Sequence, residues 1–557
     1  RPGMANTNWL NELFELGRSQ NLQLTGSGGS ERVQYLMSAG YYKQDGIVVF
    51  DNDRYQRLNF RTNINAGLSD RLNIGTNLQL SYAQQDKLSS KGDAPGIIRH
   101  ALIRPPVIPV RKNPNDPTYS AGDPFTDLPF YQTPWDNNRN IYEFSSNPVA
   151  LAYFTNDRRN VIKTFGNVYA EYVFPMDTAL RFRSNLGVDL NLTHNKAMNR
   201  NFGDDNGGGS PPDRGTGRQN RPTSLNEDRG QETTVTWNNT LNFSRNVQEK
   251  HAMSAMAGSE YITNYSSSIG ASRQRFDFVS GPFQYLNYGG TANQNNGGSA
   301  SEWRLFSLFS SATYMFDSRY MITGNFRADA SSRFAPANQW GYFPSVSAGW
   351  KLSNEKFMQD VAWVSDLKLR GSIGRLGNQE IDNYAFLTLL RRSGDQYLVS
   401  RYGNPDLRWE TTTQKNIGVD LGVLEDRLNL TLDYFVKNTS DILLPISLPS
   451  IVGNVSPTIV NAGAVSNKGF EVDLGFKNRS SLFNYRINAN AATVRNNVEK
   501  LHPNLPNIVG DVTRTAVGQP LSSFYGYVME GIYQNQAEIN AQLFGAPSPG
   551  TKPGDIR

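Results

Sequence analysis

Four histidines, His100, His194, His251 and His502, are the main acid–base and metal-ligating candidates in a chain that has no cysteine. A zinc hydrolase needs two of them one helical turn apart, and none has such a partner. There is no GxSxG turn to expose a serine nucleophile and no P-loop. Gly26-Ser-Gly-Gly-Ser30 reads as a β-turn rather than an anion loop. Asp204, Asp205 and Asp213 lie in a Gly-rich segment and offer oxygen ligands for calcium. Their spacing is not that of an EF-hand, and a solvated loop is the better reading. Asp189 and Asp433 could serve as an acid/base pair, but each alternates with apolar neighbours, as on the polar face of a strand. The residues predict no enzyme, no cofactor and no bound metal.

Binding chemistry is better represented. The long polar segments carry Tyr119, Phe130, Tyr131, Trp135, Phe202, Tyr285 and Tyr288, flanked by Asn and Asp. Ring faces beside amides and carboxylates suit amphipathic ligands such as glycans or peptides. Tyr119, Tyr131, Trp135, Phe202, Tyr285 and Tyr288 are therefore the candidate ligand contacts.

The elements that carry these segments show a period of two. Leu72, Ile74, Leu78, Leu80 and Tyr82 oppose Arg71, Asn73, Asn77, Gln79 and Ser81. Leu58, Phe60, Ile64 and Ala66 oppose Arg57, Asn59, Arg61 and Asn63. The same holds for Leu180–Leu192 against Arg181, Arg183, Asn185 and Asp189, and for Leu428–Val436 against Asn429, Thr431 and Asp433. Such alternation marks strands with one apolar and one polar face, and about seventeen can be counted. Many run to roughly 10 residues or more, the length of a tilted membrane-crossing strand.

Connections alternate between short and long. Short ones fall at Ser27–Ser30, Leu68–Asp70, Pro175–Thr178, Arg245–Lys250, Asp317–Ser318, Glu425–Asp426 and Asn478–Ser481, with Asn354–Asp366 somewhat longer. Long ones fall near 84–160, 194–231, 265–302, 377–413, 438–466 and 495–520. Outer-membrane barrels sort their loops this way, whereas a soluble sandwich has no reason to. The fold class read here is all-β, a transmembrane antiparallel barrel with long extracellular loops and short periplasmic turns. Arg57, Arg61, Arg71, Arg181, Arg183, Asp189 and Arg370 are assigned to its lumen.

Composition agrees. The chain has 557 residues, of which 19% are charged, 38% hydrophobic and 11% aromatic, and it holds 49 glycines. No apolar run of about 18 residues exists, which excludes a helical membrane protein. Aromatic content argues against disorder. A net charge of +5 without any like-charge block excludes a nucleic-acid partner. No signal peptide opens the chain.

Several strings, in order along nearly the whole chain, resemble the SusC/RagA group of TonB-dependent outer-membrane transporters. They include Arg327-Ala-Asp-Ala-Ser-Ser-Arg-Phe334, Gly341-Tyr-Phe-Pro-Ser-Val-Ser-Ala-Gly-Trp350, Leu367-Lys-Leu-Arg-Gly-Ser-Ile-Gly-Arg-Leu-Gly-Asn378 and Asn404-Pro-Asp-Leu-Arg-Trp-Glu-Thr411. Asn461–Glu471 and Gly518–Gly526 are also similar, and Thr7–Trp9 and Ser27–Glu31 match the approach to an early strand. The resemblance implies an outer-membrane location in a Gram-negative bacterium and a plugged barrel of about 22 strands. It also implies contact with outer-membrane lipid, a SusD-like surface lipoprotein as lid, and the TonB complex as energy source. Residues 1–557 read as the barrel domain, with the plug and closing strands outside them. The implied function is active import of a large nutrient, an oligosaccharide or a peptide. A docking or structural barrel in a surface or secretion complex is the alternative. A barrel enzyme is a third reading, lacking the Ser/His constellation it needs.

Overall fold

The computed structural model describes residues 5–88, 96–115, 119, 121, 124–126, 147–200, 223–277, 284–453, 455–479, 483–541 and 550–556. They divide into two compact units. The first comprises Arg1–Arg245, Ser254–Ser310 and Ala330–Ser332, and the second Asn246–Met253, Ser311–Asp329 and Arg333–Arg557.

The strands are β1 (Ser19–Gly29), β2 (Val33–Gln44), β3 (Tyr55–Gly67), β4 (Leu72–Asp86), β5 (Thr155–Val173), β6 (Leu180–Asn199), β7 (Ser224–Val247), β8 (His251–Gln274), β9 (Asn295–Phe316), β10 (Tyr320–Ser331), β11 (Trp340–Lys351), β12 (Val364–Asn378), β13 (Leu389–Ser393), β14 (Gln396–Arg401), β15 (Glu410–Val423), β16 (Leu428–Ile446), β17 (Thr458–Arg479), β18 (Asn484–Lys500), β19 (Asn507–Val509), β20 (Thr513–Ala516) and β21 (Ser523–Phe524). Sixteen form one sheet in chain order, β1 to β12 followed by β15 to β18. β13 and β14 form a separate hairpin, and β19 to β21 a small sheet. The transmembrane-type antiparallel architecture is thus as the alternation predicted, with sixteen main strands against about seventeen counted.

The strands outrun the sequence-based boundaries. β7 and β8 are 24 residues each, and β6 is 20. The connection expected at 194–231 shrinks to 200–223, that at 265–302 to 275–294, and that at 438–466 to 447–457. The reason is that alternation marks only the stretch where one face is apolar. Beyond it both faces are polar and the ladder continues on backbone hydrogen bonds alone. The Gly run 26–29 also lies inside β1 rather than in a turn, and the connection is residues 30–32. At Gly28 a Cβ would meet the Tyr35 hydroxyl at 2.8 Å, so this glycine is where a tyrosine ring covers the strand. Thr7–Trp9 leads into a short helix, α1 (Trp9–Leu13), not a strand, because the Asn8 side chain caps Asn11 N–H.

In the first unit the register aligns the apolar parity into a band. One of its rows runs Leu22, Tyr41, Leu58, Tyr82, Ile162, Leu192. Its side chains are strongly exposed, Ile162 by 47% and Val168 by 62%, so the protein supplies them no core. Along β6 the band runs from Leu180 to Leu192, about 40 Å of strand, which at a tilt near 45° spans about 28 Å. That is close to the apolar height of an outer membrane. Two rows further on, the same parity reads Arg18, Asp45, Arg54, Asp86, Arg158, Lys196, Glu227. Arg54 bonds Asp45 at 3.0 Å, Arg158 bonds Asp86 at 2.7 Å, and His194 meets Glu227 at 2.8 Å. Lys43 and Arg54 together hold the Asp45 carboxyl below its ordinary value. An apolar face that gives way to a self-paired charged belt is how a membrane boundary is written on a strand.

The conventional core lies at the long-loop end of this unit. α1, α2 (Ile97–Ile103) and α3 (Pro148–Phe154) bury Trp9, Leu13, Ile97, Phe125, Val149 and Phe154 with Val48. Buried Asn147 caps α3 by accepting from Val149 and Ala150 N–H, and donates to the carbonyls of Val110 at 2.9 Å and Thr126 at 3.0 Å. In the second unit Phe334, Leu407 and Trp409 fill the base of a long connection, and Trp409 Nε1 donates to the Gln339 carbonyl at 2.8 Å. These residues belong to the strings that carried the family resemblance, so those strings are packing motifs.

Candidate functional site

The surface opposite the apolar band is the candidate site. Arg57, Arg61, Asp189, Arg181 and Arg183 share one face of the first unit, because Arg61 pairs Gln79, Gln79 pairs Phe165, and Phe165 pairs Asp189. Arg71 continues that parity one residue before β4, where its carbonyl accepts from Val173 N–H at 2.8 Å. Around β4, β5 and β6 the face is a wall of partnered polar side chains. Glu171 lies 3.7 Å from Arg181 and 4.0 Å from Arg183. The Arg183 guanidinium sits 3.9 Å from the Tyr169 ring centroid. The Tyr169 hydroxyl donates to Asn65 at 3.3 Å, crossing Gly75, where a Cβ would lie 2.4 Å from the ring. Asn77 donates to Asn167 at 3.0 Å. Asp189 faces Lys163 at 3.9 Å, so it is matched to a cation rather than set beside a second carboxylate as an acid/base pair would be.

The second unit repeats the device. Arg370 on β12 reaches Asp420 at 3.2 Å and Asp433 at 2.5 Å. Asn416 donates to Asp433 at 3.1 Å, and Thr431 to Asp420 at 3.2 Å. Asp433 lies two strands away, across β15. The intervening residue is Gly418, where a Cβ would sit 2.6 Å from both the Arg370 guanidinium carbon and Asp433 Oδ1. The strand-face reading anticipated Arg370 and Asp433 on one side, but not their contact. Nothing in local spacing reports a pair 63 residues apart.

At the long-loop end, Lys196 Nζ lies 4.4 Å from the Tyr285 ring centroid. Tyr285, Tyr288 and Tyr119 are exposed. Tyr131, Trp135 and Phe202 lie outside the described residues, as do Phe130, Asp204, Asp205 and Asp213. Sequence reasoning missed a hollow of ≈ 530 Å³ lined by Asn226, Asp228, Ser268, Ser272, Asn295 and Asn296. Its signal was present in the Asn295-Asn-Gly-Gly-Ser299 run, which had been assigned to a loop and instead opens β9. Among the described residues no group of three or more His, Asp or Glu is placed to hold a metal ion. His194 serves Glu227, and His251 Nδ1 meets the Tyr314 hydroxyl at 2.7 Å.

Comparison with known proteins places this architecture. The family described as TonB dependent receptor-like, beta-barrel matches residues 109–532. TonB-dependent receptor P3 of Formosa agariphila is 28% identical across 98% of this chain and 53% of its own length. TonB-dependent receptor SusC of Bacteroides thetaiotaomicron is 28% identical across 85% of this chain and 46% of its own. The structure of the RagAB peptide importer in its closed-closed state superposes with a TM-score of 0.78 at 26% identity, over 95% of this chain and 56% of that one. The chain spans about half the length of the curated relatives it matches. With a sixteen-stranded sheet, an apolar band on one face and a polar wall on the other, the chain belongs to the TonB-dependent receptor-like β-barrel family, proteins of the outer membrane that are not enzymes.

Proposed function

We propose that residues 1–557 form the barrel domain of a SusC-like transporter that imports a large hydrated nutrient, an oligosaccharide or a peptide. In this reading a SusD-like surface lipoprotein acts as lid, and the TonB complex supplies energy through a plug. The observation that carries it is the likeness to the RagAB peptide importer across 95% of the chain. The polar wall supports it chemically. Arg181, Arg183, Asp189 and Arg370 are already partnered, so a passing solute finds many weak hydrogen-bonding positions there rather than a deep charge trap. Conduction of a large solute needs such graded, releasable contacts. Exposed Tyr119, Tyr285 and Tyr288, with Tyr131, Trp135 and Phe202, are proposed to meet ligand at the extracellular end, and Arg57, Arg61, Arg71, Arg181, Arg183, Asp189 and Arg370 to line the lumen.

The test is uptake by intact cells carrying or lacking the gene, with labelled oligopeptides and labelled oligosaccharides, before and after collapse of the proton gradient. Gene-dependent uptake of one class that stops on de-energisation is expected. Unchanged uptake of both classes, with co-purification of a surface complex, would replace import by the docking reading.

A further inference from the structure

In the second unit the row just beyond the apolar band is not self-paired. The band there ends with Gly371, Ile417, Tyr434, Phe470 and Thr493, which adjoin one another across β12, β15, β16, β17 and β18. Tyr434 and Phe470 pack ring to ring at 4.8 Å. The next row of the same parity reads Ile373, Lys415, Val436, Lys468, Arg495. Arg375 stands one row further, hydrogen-bonded to the Thr411 hydroxyl at 3.4 Å. All four cations are exposed. Among the described residues none of Lys415, Lys468 and Arg495 has an ion pair or a side-chain hydrogen bond. Glu499 is held by the Ser466 hydroxyl at 2.6 Å and the Asn497 amide at 2.9 Å, and Lys468 acts on it electrostatically without reaching it as an ion pair. The adjoining Asp433, Glu471 and Asp473 point to the opposite face by parity.

The contrast with the first unit carries the argument. There, the corresponding belt places Asp45, Asp86 and Glu227 among its cations and neutralises itself. Here the three cations stand on three of four adjacent strands, and among the described residues none of them forms an ion pair, Glu499 acting on Lys468 only from further along the face. Strand spacing puts Lys415 and Lys468 about 10 Å apart and Arg495 about 5 Å beyond. Like charges this close repel, and an external anion relieves that. The row stands at the long-loop end, directly over exposed rings of the lipid-side band, which is where the head groups of the outer leaflet lie. We infer that Lys415, Lys468, Arg495 and Arg375 form a binding site for the phosphate-bearing head group of an anionic outer-leaflet lipid. The inference rests on the outer-membrane reading of the sheet. An apolar floor for acyl chains beneath a cationic row fits a lipid better than a soluble acidic protein, which has nothing to place on the rings.

The experiment uses the full-length protein in detergent, exposed to equal amounts of dioleoylphosphatidylglycerol and dioleoylphosphatidylcholine and read by native mass spectrometry. Cations near an anionic head group each contribute about fivefold in partitioning. The wild type is therefore expected to retain the anionic lipid at least about tenfold over the zwitterionic one. Excess inorganic phosphate should leave that preference in place, because it lacks the acyl chains. The triple variant Lys415→Gln, Lys468→Gln, Arg495→Gln should lose most of that preference, keeping no more than the roughly fivefold contribution of Arg375, while Lys415→Arg, Lys468→Arg, Arg495→Lys should keep it. Equal retention by the wild type, an unchanged preference in the neutral variant, or displacement of the lipid by free phosphate or by polyglutamate would each overturn the site. Fractionation of the cells separates the two failures. A protein absent from the outer membrane sinks the membrane reading, whereas one present there without lipid preference sinks only this site.

Discussion

At the level of single residues, glycines decide which side chains meet. Gly418 is an open slot through which Arg370 crosses a strand to Asp433. Gly418→Ala puts a methyl 2.6 Å from both partners, so the guanidinium must leave a carboxylate whose side chain is only 12% exposed. A loss of about 1–3 kcal/mol is expected, read as a lower melting temperature in detergent. In an Arg370→Gln background the alanine should cost much less, since the contact is already gone. Glu355, in the connection after β11, is a second such point. It accepts from the Tyr320 hydroxyl at 2.5 Å, Trp350 Nε1 at 3.0 Å and Arg319 at 3.0 Å. These bonds hold its carboxyl below the usual 4.5, the Tyr320 hydrogen bond most of all. A depressed folded-state value adds stability above the ordinary value and loses it as pH falls through the folded one. The stability gap between wild type and Glu355→Gln should therefore be full at neutral pH and close on acidification below about 4.5. A gap that does not change with pH would assign Glu355 a packing role only.

Among the elements, the short turns are more strained than their sequences suggest. Asp317 and Ser318 have φ of 49° and 53°, Gln248 and Glu249 of 50° and 57°, and Glu425 and Asp426 of 58° and 59°. The first two are two-residue turns whose left-handed conformation matches the strand twist and favours Asn-Gly, and in the third Leu424 is left-handed too, at φ 55°. None of the six is Asn or Gly, so tight ladders override turn preference. Ser318→Gly should stabilise by about 0.5–1 kcal/mol, since the bond from Asn354 reaches only the Ser318 carbonyl, which glycine keeps. A lower unfolding temperature would show that the Ser318 side chain matters. The turn positions were legible in the sequence because they interrupt alternation. The far ends of β6, β7 and β8 were not, since a strand polar on both faces has no hydropathic period to read. The helices were missed for a related reason: α1 to α3 are five to seven residues long, too short to show a helical period.

For the molecule as a whole, the band and belt make a topographic prediction. The chain has no cysteine, so each introduced thiol reports alone. On intact cells a membrane-impermeant maleimide should label Lys196→Cys and leave Val188→Cys unlabelled, because position 188 lies within the apolar band and 196 in the charged belt. Labelling of both would mean that this face does not meet lipid. The sequence by itself determined the strand-rich class, the two-faced strands, the parity of Arg57, Arg61, Arg181, Arg183 and Asp189, and the family through its ordered strings. All of these are local, since a period of two and a packing motif are complete within about ten residues. Only the tertiary structure decided which rows align across strands. It decided that Arg370 pairs with Asp433, that one belt neutralises itself, and that Lys415, Lys468 and Arg495 stand together without an ion pair among the described residues. Register sets these, and register is fixed by ladders between segments far apart in the chain, which hydropathy along a single strand does not encode.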